Sequence, residues 1–271
     1  KIGDLSLHWI DDHGGDEGYT VGEASVSGEV RELDVSWLSG SVTVELTDGD
    51  AVTLREEPQP ESSDARMRWK LQDGKLTVYS QKSGLTIPTR AKQLTIGIPA
   101  GRAGKLQKLS LDLSAASASL PALTLRELEL DSVSGSVTLT GGSYENLDFD
   151  STSGDLTVTD AAVGELSADT TSGSLTLDGA FETIDFDTTS GALHLTTSIL
   201  PQDISCDTVS GGVTLTLPEN GGFSATLDSV SGDLTVDGFA GSLHRDEFVY
   251  GQGGPAYEFD SVSGDVHIRC A

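Results

Sequence analysis

Apolar and polar residues alternate along most of the chain in short segments, and this alternation restarts at intervals of about 19 residues. Within each segment the apolar residues stand two positions apart, which indicates half-buried strands rather than helices. A Ser-Gly pair divides each interval into two such segments. The glycines of these pairs are Gly135, Gly154, Gly173, Gly191, Gly211, Gly232 and Gly264.

Positions counted from these glycines repeat their chemistry from one interval to the next. Residues at minus 7, minus 5, plus 2 and plus 4 are apolar, and the first interval has Leu128, Leu130, Val137 and Leu139 there. Self-similarity at a short fixed period is the signature of stacked repeats. We therefore predict an all-β fold, a slim parallel β-solenoid that is β-helix-like, with about 19 residues and two short strands per coil. Glycine is expected at the corner because it adopts positive φ without a Cβ clash.

The repeat pattern divides the chain unevenly. Residues 1–21 are rich in glycine and acidic side chains and are predicted to form a lead-in or N-terminal cap. The rest is predicted to be a single β-solenoid domain over 22–271, with irregular coils over 22–108, regular coils over 109–237, an insertion over 238–257 and a last coil over 258–271. Unless the insertion covers that last coil, its open C-terminal edge invites self-association with another chain.

The charge is strongly acidic and unevenly distributed. The formal net charge is −27, and no Lys or Arg lies between Glu127 and His244. Such a surface repels nucleic acid and anionic lipid headgroups, so neither is expected as a partner. No apolar run of about 18 residues predicts a membrane span. Because the sequence begins at Lys1 rather than at a methionine, we expect a leader or anchor upstream of it.

At one outward position, minus 4, every regular coil has an aspartate, and folding alone does not require this. The first interpretation is a turn-forming role, in which the carboxylate accepts N–H bonds from the corner. The second is a calcium column, because calcium prefers carboxylate and carbonyl oxygens; no other cofactor is expected. The third is recognition of a cationic surface or a glycan. The candidate metal ligands are Asp131, Asp150, Asp169, Asp187, Asp207 and Asp228, and the same position is occupied by Asp112 and Asp260.

The insertion is the second candidate site, because insertions in repeat arrays cap the stack or form binding loops. Its candidate residues are His244, Arg245, Tyr250 and Tyr257. The histidines of the chain have no nucleophile or metal spacing around them, so we predict that the protein is not an enzyme. The competing function is a glycan-binding or carbohydrate-active β-helix protein that uses the aspartate position or the insertion.

The repeated Asp-[Ser/Thr]-[Val/Thr]-Ser-Gly unit, the strand over Leu94–Pro99 and the closing segment from Tyr250 to Ile268 resemble the bacterial "putative adhesin" β-strand-repeat family, a domain of unknown function. The likeness covers roughly residues 24–271. It implies an extracytoplasmic protein of the bacterial cell surface or envelope, anchored by a separate segment. It also implies a scaffold or adhesin whose partner is an unknown protein or glycan, and it brings no catalytic motif.

Overall fold

A computed structural model of the chain describes residues 15–84 and 90–271. The all-β prediction is confirmed, since these residues form twenty-two strands, one short 3-10 helix over Ser63–Ala65 and one helix of four residues, α1 (Ala100–Ala103). In broad outline the strands stack as a solenoid. The predicted lead-in lies mostly outside the described residues, because residues 1–14 are among those the structure does not describe.

The N-terminal third contains the most irregular strands. They are β1 (Thr20–Val21), β2 (Ala24–Val26), β3 (Glu32–Thr47), β4 (Val52–Glu57), β5 (Arg68–Gln72), β6 (Lys75–Tyr79) and β7 (Lys92–Pro99).

The middle of the chain forms the regular coils. Their strands are β8 (Lys108–Leu120), β9 (Thr124–Ser132), β10 (Val137–Thr140), β11 (Ser143–Ser151), β12 (Leu156–Thr170), β13 (Leu175–Thr188), β14 (Leu193–Thr197), β15 (Asp203–Thr208) and β16 (Val213–Leu217).

The C-terminal part adds two coils and a hairpin. Its strands are β17 (Gly222–Ser229), β18 (Leu234–Asp237), β19 (Ser242–His244), β20 (Glu247–Gly251), β21 (Ala256–Ser261) and β22 (Val266–Cys270).

Each coil has a first arm before its corner glycine and a second arm after it, and equivalent arms pair in parallel. On the first arms, Leu147 of β11 pairs with Leu128 of β9 and with Leu166 of β12. On the second arms, Leu156 of β12 pairs with Val137 of β10 and with Leu175 of β13. Parallel strands lie about 4.8 Å apart, so each repeat position forms a column along the stack. The inward columns are buried and form one continuous apolar core.

The spatial order of the coils differs from the sequence order at the C-terminal end. Strand β21 lies between β15 and β17, and β22 lies between β16 and β18. The last coil in the sequence is therefore inserted into the stack, and the coil of β17 and β18 is outermost. This corrects the prediction that the coil over 258–271 ends the stack. The periodic pattern is the same in both coils, so it does not distinguish the two orders.

The N-terminal end shows the same arrangement. Strand β3 pairs with β8 on one side and with β6 and β7 on the other. The outermost coil at this end is therefore made by β6 and β7, although β3 precedes both in the sequence. Antiparallel strands cover both arms, because β5 pairs with β6 and β4 pairs with β7. At the opposite end, the insertion folds as a hairpin whose strand β20 pairs antiparallel with β17 and with β19.

The corner glycines are required by a close approach of backbones and not by their φ angle. Positive φ occurs at the irregular corner of Gly40 (φ 105°) but not at the regular corners, which corrects our expectation. A Cβ atom on Gly154 would lie 2.2 Å from the carbonyl oxygen of Gly135, and one on Gly173 would lie 2.1 Å from that of Gly154. Carbon and oxygen cannot approach so closely, so any side chain there separates neighbouring coils.

Near the N-terminal end, a buried ion pair joins β4 to β7. Lys92 Nζ lies 2.6 Å from Glu56 Oε1, and the two side chains are 2% and 0% exposed. Lys92 Nζ also donates to the carbonyl oxygens of Ala65 and Ser80 and lies 5.0 Å from the centre of the Trp37 ring. The Glu56 carboxylate accepts the backbone N–H of Met67 at 3.0 Å. Each buried charge is thus paired and hydrogen-bonded, as burial demands.

We expect Gly173→Ala to lower the free energy of unfolding by about 1–3 kcal/mol, because the new methyl group has to push two coils apart. Gly221→Ala is the matched control, since a Cβ on Gly221 meets nothing within 4 Å. Urea denaturation of both variants measures the difference. Equal stability of the two variants would contradict the close-approach explanation.

We expect Lys92→Met to lower the free energy of unfolding by about 3–5 kcal/mol, because it leaves the Glu56 carboxylate buried without a countercharge. The double variant Lys92→Met/Glu56→Gln removes both charges and keeps an acceptor for Met67 N–H. It should recover a large part of the loss in the same denaturation experiment. If the double variant is no more stable than Lys92→Met, the unpaired charge is not the cause.

Candidate functional site

The stacked first arms bring the predicted aspartates together in one column. Each carboxylate stands directly opposite the next, because the arms pair in register. The inserted C-terminal coil places Asp260 between Asp207 and Asp228. The aspartate column, in spatial order, consists of Asp112, Asp131, Asp150, Asp169, Asp187, Asp207, Asp260 and Asp228.

At the Ser-Gly corners the turn is closed by the residue after the aspartate, which corrects the turn-forming prediction. The Ser132 hydroxyl accepts the N–H of Gly135 at 2.9 Å and donates to the carbonyl oxygen of the same glycine at 2.6 Å. Serine or threonine does the same work in the other coils, as Thr188 accepts the N–H of Gly191 at 2.8 Å. A hydroxyl both donates and accepts, whereas a carboxylate only accepts, so the hydroxyl suits this turn better.

The serine before each corner glycine ties neighbouring coils together. Ser153 Oγ donates to the carbonyl oxygen of Val133 at 3.1 Å, and Ser172 Oγ donates to that of Thr152 at 3.2 Å. This ladder continues in the inserted coil, where Ser263 Oγ donates to the carbonyl oxygen of Val209. The corner is therefore stabilised by hydroxyl groups and leaves the aspartates for other contacts.

The aspartates carry an electrostatic strain. Burial, together with the neighbouring carboxylates, raises the pKa of Asp131 and of Asp187 to about 6. The pKa of Asp150 and of Asp260 is raised in the same direction, again by burial first and then by neighbouring aspartates. Lys108 Nζ contacts Glu129 at 2.5 Å at the N-terminal end of this face. The sequence from Glu127 to His244, which forms the middle of the column, has no Lys or Arg.

A groove of about 580 Å³ runs along the C-terminal half of the column. The side chains of Val209 and Val262 lie in it with 48% and 49% of their surface exposed. The groove thus combines carboxylates with an apolar surface. Its acidic residues are Asp169, Asp187, Asp207, Asp228 and Asp260.

The carboxylates do not converge on one point. In residues 15–84 and 90–271, no group of three or more His, Cys, Asp or Glu side chains is arranged to hold a metal ion. The aspartate column has one carboxylate per coil, and this gives a line of charges rather than the six to eight oxygens that calcium takes. The geometry therefore gives the calcium prediction no support.

The insertion residues are not brought together into a binding loop. Tyr257 belongs to β21 and is buried, with its hydroxyl donating to the carbonyl oxygen of Pro201 at 3.0 Å. Tyr250 packs against Phe239, with ring centres 5.1 Å apart. His244 and Arg245 are exposed at the turn between β19 and β20. Tyr250 therefore stabilises the hairpin that covers β17, whereas Tyr257 is part of the core.

Sequence reasoning missed the apolar part of the groove and the hydroxyls that close the corners. A signal for the hydroxyls was present, because every coil with a Ser-Gly corner has Ser or Thr directly after the aspartate. The apolar part of the groove also had a signal, because Val209 and Val262 both stand two positions before a corner glycine, where the repeat unit has Val or Thr. These two residues become neighbours only through the inserted C-terminal coil, whose position the repeat pattern does not specify.

Comparison with known proteins supports the architecture. The family model described as Toastrack DUF4097 matches residues 30–269. None of the curated proteins matches the sequence. Among solved structures, the chain is similar to one described as a "putative lipid binding protein" from Parabacteroides distasonis, at 16% identity and a TM-score of 0.55, over 95% of this chain and 98% of that chain.

Two further solved structures are each described as a "putative adhesin". The one from Parabacteroides merdae has 14% identity and a TM-score of 0.49, over 95% of this chain and 98% of that chain. The one from Bacteroides fragilis has 13% identity and a TM-score of 0.47, over 94% and 98%. At these identities the likeness concerns the fold alone. Within the described ranges, no helix is long and apolar enough to cross a membrane.

We expect the aspartate column to make the free energy of unfolding higher at pH 5 than at pH 7.5. The folded-state pKa of Asp131 and Asp187 is about 6, above the ordinary value of about 3.9. Their contribution to stability is therefore fully present below about pH 4 and is lost as the pH rises through about 6. Thermal unfolding between pH 5 and pH 8 measures the effect.

The double variant Asp131→Asn/Asp187→Asn should flatten this pH dependence and raise the unfolding temperature at pH 7.5, by roughly 2–4 °C for each kcal/mol of relieved repulsion. Asp155→Asn/Asp178→Asn is the control, since these side chains are exposed on the second arms and their removal changes the net charge equally. If both variants change the pH profile alike, the column is not its source.

Proposed function

Since the chain belongs to the Toastrack DUF4097 family, a family of unknown function, we propose that it is a non-enzymatic binding scaffold of the bacterial cell surface or envelope, similar in role to an adhesin. Its binding surface is the groove along the aspartate column, and its ligand carries positive charge. We take the stacked coils, with about 19 residues and two arms each, as the rigid support of this surface. The observation that carries the proposal is the row of aspartates that lines the groove, from Asp169 to Asp228, beside the exposed side chains of Val209 and Val262.

The row of carboxylates costs the folded protein stability. Two unit charges about 4.8 Å apart repel by roughly 0.9 kcal/mol in water, before screening by salt. The corner hydrogen bonds do not offset this repulsion, because the hydroxyls of Ser132 and its equivalents make them. Natural proteins keep destabilising residues where activity needs them. A cationic ligand would remove the repulsion that the fold leaves uncompensated.

The repeated geometry supports binding rather than catalysis. General acid–base catalysis needs two groups whose environments drive their pKa values apart. Along this column the corner geometry recurs from coil to coil, and the raised pKa of Asp131 has the same causes as that of Asp187, burial first and then the neighbouring carboxylates. A row of equivalent carboxylates suits an extended ligand that contacts several coils at once, such as a basic peptide or an amino-sugar polymer.

Lipid binding, which the description of the Parabacteroides distasonis structure suggests for that protein, does not fit this groove. Anionic lipid headgroups are repelled by a surface with this density of carboxylates. The valines alone offer too small an apolar surface for an acyl chain, because their side chains are flanked by aspartates on the same groove. A polymer with ammonium groups satisfies both features, since its charges meet the carboxylates and its apolar parts cover the valines.

Binding of oligolysine and of a glucosamine oligomer tests the proposal, with the fully acetylated forms of both as uncharged controls. We expect both cationic probes to bind with an affinity that falls as salt is added, and the acetylated forms to bind at least about tenfold more weakly. The triple variant Asp187→Asn/Asp207→Asn/Asp260→Asn should weaken binding by a similar factor. Isothermal titration calorimetry at low and at physiological salt measures each affinity.

The matched control is Asp155→Asn/Asp178→Asn/Asp265→Asn, which removes the same charge from exposed positions on the second arms. It should bind the probes nearly as well as the unmodified protein. Equal losses in the two triple variants would show that only net charge matters and would contradict the assignment to the groove. Antibody labelling of intact, unpermeabilised bacteria checks the surface location independently of the ligand.

A further inference from the structure

The two ends of the stack expose four strand arms, and the fold covers three of them. Strand β6 is covered by β5, β7 by β4, and β17 by β20, in each case by an antiparallel strand. The fourth arm is β18, which pairs with β22 on one side. In the part of the chain that the structure describes, no strand pairs with its other side. Its backbone N–H and C=O groups are therefore a ready site for another strand.

The apolar core is open beside β18. Leu234 and Val236 point inward but are only half-buried, whereas their neighbours in β22, Val266 and Ile268, are 2% and 0% exposed. Leu243, in the hairpin at the same end, is 50% exposed. An added strand on β18 would cover the two half-buried side chains, as the cap strands cover the core at the other three arms.

We propose that β18 pairs antiparallel with β18 of a second copy of this chain, about a two-fold axis. The fold shows which kind of strand closes an end arm, since all three covered arms carry an antiparallel one. A two-fold axis makes the two equal strands antiparallel and joins the two open cores. The acidic middle of the stack opposes contact with the same surface of another copy, because the sequence from Glu127 to His244 has no Lys or Arg. The end of the stack at β18 is less acidic, because Arg245 and Arg269 lie there.

The register of the pair follows from side-chain direction and charge. Inward residues must pair with inward residues, so the two-fold axis passes through a residue position and not between two. An axis at Thr235 would place Asp233 opposite Asp237 of the partner subunit, which like charge disfavours. An axis at Val236 places Thr235 opposite Asp237 of the partner subunit and avoids that contact. Asp237 is also held within its own chain by a hydrogen bond, since His267 Nε2 lies 2.8 Å from its carboxylate.

Two substitutions at one exposed residue test this register. Sedimentation equilibrium should show a concentration-dependent dimer for the unmodified chain. Thr235→Glu places a second negative charge opposite Asp237 of the partner subunit at two symmetric positions, and should raise the dimer Kd about tenfold. Thr235→Lys should leave the Kd unchanged or lower it. Thr138, which is exposed at the equivalent position of an interior coil, provides the matched controls Thr138→Glu and Thr138→Lys, which should leave the Kd unchanged.

Disulfide trapping gives an independent readout. In a Cys270→Ser background, Val236→Cys places two thiols opposite each other at the axis, within the distance that a disulfide spans. Mild oxidation should yield a covalent dimer, whereas Thr138→Cys in the same background should yield none beyond random collision. Cys206 is buried and does not interfere. A chain that stays monomeric at millimolar concentration, or equal cross-linking of the two variants, would overturn the proposal.

Discussion

The contact between backbones at the corners governs this structure. At each regular corner, the glycine Cα faces the carbonyl oxygen of the previous corner so closely that a Cβ would lie about 2 Å from it, as at Gly173 and Gly191. This contact fixes the coil spacing, and the fixed spacing puts every repeat position into a straight column. The apolar columns gain from this alignment, because each side chain packs on its equivalents above and below. The hydrogen bonds of the corner serines then hold the coils at the same spacing.

The same alignment makes the aspartate column destabilising, since a charge at one repeat position must stack on the same charge in the next coil. A fold that varied its register could separate these carboxylates, but a stack with glycine corners cannot. The raised pKa of Asp131 and Asp187 records this cost. The acidic surface is therefore a property of the repeat itself, and its preservation through the inserted coil, at Asp260, argues that the face acts as a unit.

Much of the fold could be predicted from the sequence, because residues at a fixed distance from Ser-Gly report directly on burial. Leu128, Val137 and their equivalents are inward, as their period of two indicated. The turn-forming role was predicted for the wrong residue, because aspartate is a common turn former. The hydroxyl of the neighbouring Ser132 closes the turn instead. The spatial order of the coils could not be predicted from the repeat pattern. Two coils with the same pattern exchange places without changing any inward or outward residue, so only the lengths and contacts of the connecting segments decide the order.

Those connecting segments also explain why the ends differ from the middle. At the C-terminal end the chain passes over one coil position and later fills it with β21 and β22, whereas at the N-terminal end it forms the second coil, then the outermost coil, and then continues beyond the second with β8. At both ends the segment that connects the outermost coil to the coil beside it in the stack forms the cap. At the N-terminal end the caps β4 and β5 cover both arms, and the buried pair of Lys92 and Glu56 ties β4 to β7. At the C-terminal end one hairpin covers a single arm. The uncovered strand β18 thus follows from a cap that has strands for one arm only, and the half-buried Leu234 and Val236 are its physical consequence.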